Sequence, residues 1–305
     1  DGQLVIDFEN VPDNSTLELF LNKAQFYQKK IILDYESDDG SASQMHDYQL
    51  PTEEAGDVYL AIDSGSNEPG APVYNWIEIK EIGANLNLTD DSIIKNVDIG
   101  FDFQYYGESF NKLTICSNGW ASFLPCFGND ENGSDCNTSP VFFNNSIPHP
   151  LGSYGMLAPF FDDLDDNGGI EPFNVYIWTN EQDSVIVEWD NVANGQHDEN
   201  CEINVPDSCP RHTFQLILVG LNEGNGDIIF QYNNVTNWQT VSEDPSELWY
   251  VDDHGSTIGI ESPDKNTGTQ YLFNLSDQAT PLLHNELAVR FVNESCAVLG
   301  DLSGD

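Results

Sequence analysis

Two apolar runs, TFQLILV (213–219) and DIIFQY (227–232), stand on either side of a polar turn, GLNEGNG, and the same arrangement recurs along most of the chain. NVYIW (174–178) and VIVEW (185–189) flank TNEQDS, and STIGI (256–260), QYLF (270–273) and ELAVRFV (286–292) continue the series. Runs this short, rich in β-branched and aromatic residues and bounded by Gly, Asn and Asp, are strands rather than helices. VDIGFDF (97–103) alternates apolar with polar residues, so one face is buried and the other wet, which favours antiparallel pairing. LTICSNGWASF (113–123) sets Asn118 and Gly119 between two short runs, the composition of a type I′ hairpin turn. About a dozen such strands with few helical segments predict an all-β fold, an antiparallel two-sheet β-sandwich.

Residues 1–72 read differently, as an N-terminal strand-rich arm or small subdomain. LVIDF (4–8), FYQKKIILDY (26–35) and VYLAI (58–62) have strand character, whereas NSTLELFLNKA (14–24) suits helix and strand equally. The polar stretches SDDGSAS and SGSNEPGAP between and after them are loops or linkers. The sandwich is expected over 73–295 and a short tail over 296–305. Lys23, Lys29 and Lys30, three of only nine basic residues, fall in the arm, either as ordinary surface lysines or as a patch complementary to an acidic surface.

The stretch MLAPFFDDLDDNGG (156–169) is where chemistry concentrates. Its apolar half reads as a strand covered on both faces, and it empties into Asp162, Asp163, Asp165 and Asp166. Carboxylates this close are solvated, partly protonated or neutralised by a cation. The spacing Asp163, Asp165, Asn167, Gly168 reproduces the first half of a calcium loop, although position twelve is Asn174 and the flanks are strands, which argues against an EF-hand. Asp162, Asp163, Asp165, Asp166 and Asn167 are therefore the candidate metal ligands, and calcium the candidate cofactor.

Taken in order, YNWIEI (74–79), GFDFQYYG (100–107), ICSNGWASF (115–123), APFFDDL (158–164) and TFQLILVGLNEGNGDIIFQY (213–232) resemble nidogen-like extracellular modules over roughly residues 74–292. That resemblance implies a β-sandwich with adhesive, assembly or accessory roles and no shared catalytic apparatus. The tail CAVLGDLSGD (296–305) is similar to the start of a dockerin-type calcium repeat, with Asp301, Ser303 and Asp305 at alternate positions, and stops before such a loop is complete.

The net charge of −43, from nine basic against 52 acidic residues, repels phosphate backbones and anionic membranes and so excludes nucleic-acid binding. With 39% hydrophobic and 11% aromatic residues the chain still folds, so the charge is a solvated surface. Six cysteines without a CxxC imply disulfides outside the reducing cytosol: Cys201 with Cys209, Cys126 with Cys136, and Cys116 with Cys296 by remainder. The set His197, Cys201, Cys209 and His212 also resembles a zinc site, for which the disulfide is the preferred alternative. Sequons at Asn14, Asn87, Asn132, Asn137, Asn144, Asn234, Asn274 and Asn293 suggest a glycosylated, extracellular surface. No apolar run is long enough to span a membrane, and the opening at Asp1 reads as that of a processed chain.

No nucleophile-elbow, zincin or phosphate-loop motif occurs, so the chain is expected not to be an enzyme. Trp76 (in YNWIEI), Trp120, Trp178 and Trp189 are expected to lie in strands and in the core, whereas Trp238 and Trp249, in a polar stretch, either stack on sugars or anchor a long loop. Two functions follow. The first is a structural or adhesive subunit that polymerises into a filament through its arm or binds cell-surface or matrix components. The second is a carbohydrate-binding accessory module of a secreted enzyme.

Overall fold

A computed structural model describes residues 59–67, 70–123, 146–149, 153, 155–166, 169–171, 173–194, 205, 209–221, 224–235, 256–273 and 283–293, with the backbone of two further strands at 16–23 and 27–34. Among these residues there are fifteen strands and no helix. In chain order they are β1 (Thr16–Lys23), β2 (Tyr27–Asp34), β3 (Tyr59–Asp63), β4 (Ala84–Asn85), β5 (Ile93–Tyr105), β6 (Glu108–Cys116), β7 (Ala121–Ser122) and β8 (Met156–Phe161). The remainder are β9 (Asn174–Thr179), β10 (Ser184–Ala193), β11 (Arg211–Val219), β12 (Asp227–Val235), β13 (Thr257–Glu261), β14 (Gly268–Phe273) and β15 (Leu287–Asn293).

A seven-stranded sheet, β3-β15-β12-β11-β10-β9-β4, faces a six-stranded one, β14-β13-β8-β7-β6-β5, and the pairings are antiparallel. The protein is thus the all-β two-sheet sandwich that its turn spacing predicts. Alternation along each strand sorts the side chains: Phe214, Leu216 and Leu218 of β11 and Val185, Val187 and Trp189 of β10 enter the shared core, while Ile186 and Ile217 face out. Leu113 and Ile115 of β6 and Ile258 and Ile260 of β13 meet them from the opposite sheet. Aromatic residues fill the middle, Trp189 stacking on Phe214 with ring centroids 5.1 Å apart and Phe214 on Phe160 at 5.3 Å. Their polar atoms tie the sheets together: Trp189 Nε1 donates to the Cys116 carbonyl at 3.0 Å, and the Tyr232 hydroxyl to the Pro159 carbonyl at 2.6 Å.

Four expectations need adjustment. The run at 14–24, open between helix and strand, is strand β1, paired with β2 in a sheet of their own. VYLAI, assigned to the arm, instead forms β3, which bonds to β15 and buries Tyr59 completely, so the large sheet begins upstream of residue 73. The hairpin between β6 and β7 forms, but its turn is not type I′, in which both central residues have positive φ: only Gly119 (φ 71°) has it, and Cys116 N–H donates to the Trp120 carbonyl across a loop of Ser117, Asn118 and Gly119. YNWIEI is not a strand either. It crosses the outer face of the seven-stranded sheet as a strap, with its backbone satisfied by side chains. Gln231 both accepts from Asn75 N–H (2.7 Å) and donates to its carbonyl (3.0 Å), and Gln215 donates to the Ile77 carbonyl at 2.6 Å.

The expected core tryptophans divide accordingly. Trp120 and Trp189 are fully buried, whereas Trp76 on the strap and Trp178 on the outer sheet face are half-buried.

Candidate metal centre

β8 is buried along its whole length, as its apolar run implies, and the carboxylates begin immediately after its last residue. The loop after it carries the chain from the six-stranded to the seven-stranded sheet, into β9. A second loop makes the reverse crossing from β4 to β5, and β4 pairs with β9, so the two crossings lie side by side at one end of the sandwich. The second loop brings Asp90 and Asp91. Carboxylate oxygens of Asp90, Asp165 and Asp166 lie within 4.8 Å of one another, as do those of Asp90, Asp91 and Asp163.

The turn at 117–119 holds the crossings together. Ser92 N–H donates to Ser117 Oγ (3.0 Å) and Ser117 N–H to the Ser92 carbonyl (2.9 Å). Asn118 Nδ2 donates to Asp91 Oδ1 at 3.0 Å, and the Asn118 carbonyl accepts from Asp162 N–H on the other crossing. Within the β4–β5 loop, Thr89 N–H donates to Ser92 Oγ and the buried Leu88 anchors the backbone in the core. After β8, Asp166 Oδ1 accepts from Gly169 N–H at 2.7 Å, shaping the return toward β9.

Burial and crowding act on these groups together. The Asp90 carboxyl is pushed up to about 7, first by burial and then by the charges of Asp165, Asp91, Asp166 and Asp163. Asp91 is raised by burial and by Asp163 and Asp165, against the opposing bond from Asn118. A donor set made only of oxygen atoms, carboxylates with neighbouring amides, is the chemistry of a hard divalent cation.

Of the five residues singled out from the sequence, Asp163, Asp165 and Asp166 are brought together with Asp90 and Asp91. Asp162 does not join them, since it is 5% exposed, accepts from Asn194 Nδ2 at 2.9 Å, and caps Asp163 N–H through its other oxygen. Asn167 lies outside the described residues. Asp90 and Asp91 were missed because the acid pair in NLTDDS carries no contrast in a chain with 52 carboxylates.

The other candidates fare variously. Cys116 is a free, fully buried thiol rather than the partner of Cys296, and its Sγ accepts from Asn118 N–H at 3.4 Å inside the turn. Cys209 is disulfide-bonded, which removes the thiolate that a zinc site needs. His212 is fully buried against Phe160, with ring centroids 4.5 Å apart, and burial lowers its imidazole to about 3, so it stays neutral. Asn293 is 7% exposed, so the folded chain does not offer its sequon as an acceptor; Asn234 is half-buried and donates to the Arg211 carbonyl, and Asn87 is exposed. Cys126, Cys136, Cys201, Cys296, His197, Trp238, Trp249 and the sequons at Asn14, Asn132, Asn137, Asn144 and Asn274 lie outside the described residues, as does the tail from residue 296. Lys23, Lys29 and Lys30 lie on the β1–β2 hairpin, the last two opposite Leu21 and Phe20.

A family model described as NIDO related matches residues 72–295, which spans the sandwich apart from β3. No curated protein and no solved structure matches the chain.

Proposed function

The chain belongs to the NIDO-related family, and on that footing we propose that it is a non-catalytic structural or adhesive subunit of an extracellular assembly, polymerising through its N-terminal arm. The family is one of structural-type extracellular modules. The observation that carries the assembly reading is the placement of the hairpin. Among the described strands, β1 and β2 pair only with each other, yet β2 lies against β14, the edge strand of the six-stranded sheet. An element packed against its own sandwich without being stitched into it can pack in the same way against a neighbour's, and a head-to-tail exchange that does not close propagates as a filament. Lys23, Lys29 and Lys30 favour the exchange by reducing repulsion between subunits of net charge −43.

Deleting residues 1–35 removes both strands of the hairpin. The truncated protein is expected to run as a soluble monomer in light scattering and to form no filaments in electron micrographs under conditions in which the full chain assembles. Equal assembly by both proteins would sink the proposal. A glycan array supplies the contrasting outcome, since sugar binding lost in Trp238→Ala or Trp249→Ala would assign the chain to the accessory-module class instead.

A further inference from the structure

We infer that the two crossing loops form a calcium site centred on Asp90, whose carboxylate groups with those of Asp165 and Asp166 on one side and of Asp91 and Asp163 on the other, with the amide oxygen of Asn118 beside them. The acidic cluster alone does not carry this. The second observation is Asn118 itself, 0% exposed, whose Oδ1 has no hydrogen-bond partner while Nδ2 of the same planar amide is fixed on Asp91 Oδ1 at 3.0 Å. A buried amide oxygen left without a donor is destabilising. Nδ2 of this amide holds Asp91 of the carboxylate cluster, so a cation bound there can satisfy the oxygen. One Asp90 oxygen is likewise buried and unpartnered.

The identity of the ion follows from the ligands. Each is a hard oxygen atom, and more carboxylates converge than an octahedral magnesium ion, which keeps most of its water, would engage. The geometry also assigns the ion a task. Two of the crossings between the sheets, β4 to β5 and β8 to β9, run through these loops, and β4, only two residues long, is weakly held by its pairing with β9. An ion bridging Asp90 to Asp165 and Asp166 ties one crossing to the other and closes that end of the sandwich. The site does not depend on whether the arm exchanges between subunits.

Calcium chloride titrated into the EDTA-stripped full chain should give one site by calorimetry and, at about 100 times its dissociation constant, raise the melting temperature by roughly 5 °C. Asp90→Asn with Asp165→Asn should weaken binding by roughly tenfold or more and cut that rise to about half or less. The same pair relieves repulsion, so the variant in EDTA should be at least as stable as the parent in EDTA, which shows that it is folded. Asp102→Asn, at an exposed position on β5, serves as the control and should respond as the parent does. Calcium would stabilise any chain this acidic somewhat by screening alone, and an equal rise in the parent and the double variant would mean screening only. That result, or no rise and no heat in the parent, overturns the inference.

Discussion

Replacing Gly119 by alanine is expected to cost about 4 kcal/mol or more, a large fraction of the roughly 5–15 kcal/mol by which folded proteins are usually stable. A Cβ built at this position would sit 1.8 Å from the Phe160 carbonyl oxygen and 2.7 Å from its carbon, and both belong to backbone that cannot rotate away. The φ of 71° adds a penalty that L-residues pay at about 1 kcal/mol or more. Relief by separation is blocked, because Phe160 N–H donates to the Gly119 carbonyl at 3.1 Å and Cys116 N–H to the Trp120 carbonyl at 2.9 Å. Moving the turn away would break both bonds and lift Asn118 from Asp91. Gly169→Ala separates the two causes, since Gly169 has a similar φ of 82° but nothing within 4 Å of its added Cβ. It should cost only about 1 kcal/mol. Urea unfolding of both variants checks the pair, and a Gly119→Ala protein within about 1 kcal/mol of the parent would show that the turn is not pinned against β8.

What the sequence revealed and what it concealed both follow from the reach of periodicity. Strands β9 to β12 were legible because each is a short run rich in β-branched and aromatic residues and is punctuated by turns such as GLNEGNG, so local pattern and long-range packing agree. YNWIEI has the composition of a strand, yet Gln215 and Gln231, far away in the chain, supply its hydrogen bonds, and no local pattern encodes that. The turn at 117–119 was located correctly and typed wrongly, because Asn-Gly fits a two-residue turn as readily as the end of a three-residue one. Only the bond from Cys116 to Trp120 distinguishes them. The acidic centre illustrates the same limit. Asp163, Asp165 and Asp166 announce themselves by spacing along one segment, whereas Asp90 and Asp91 join them through the pairing of β4 with β9, a contact that exists only once the sandwich is closed.

Glu261→Gln is expected to stabilise the protein in alkaline solution and to leave it nearly unchanged at pH 4. Glu261, on β13, is 1% exposed; one carboxylate oxygen accepts from His149 N–H and the other has no partner. Burial pushes its carboxyl from 4.5 up to about 8, with Asp264 adding to the rise and the His149 bond and Lys265 opposing it. A carboxyl raised in the folded state favours folding while it is protonated, so its contribution is fully present below pH 4.5, falls as pH climbs, and is lost by about pH 8. Glutamine carries no charge at any pH and removes that loss. The gap in stability between variant and parent should therefore open between pH 4.5 and 8 and stay level above it. At about 1.4 kcal/mol per pH unit the full shift sets a ceiling near 5 kcal/mol, and local relaxation that admits water around the charge lowers the expected gap to about 2–3 kcal/mol. Glu188, on the outer face of β10, is raised to about 7 chiefly by burial against the bond from Gln215, so the parent should lose stability over an overlapping range for a second reason. Glu261→Gln leaves that second loss in place. Melting curves for the parent and Glu261→Gln from pH 4 to 9, at constant ionic strength and in EDTA so that calcium does not enter, test the sign directly. A gap that is constant across this range would mean that Glu261 is ionised and solvated in the folded protein, with water reaching the end of β13.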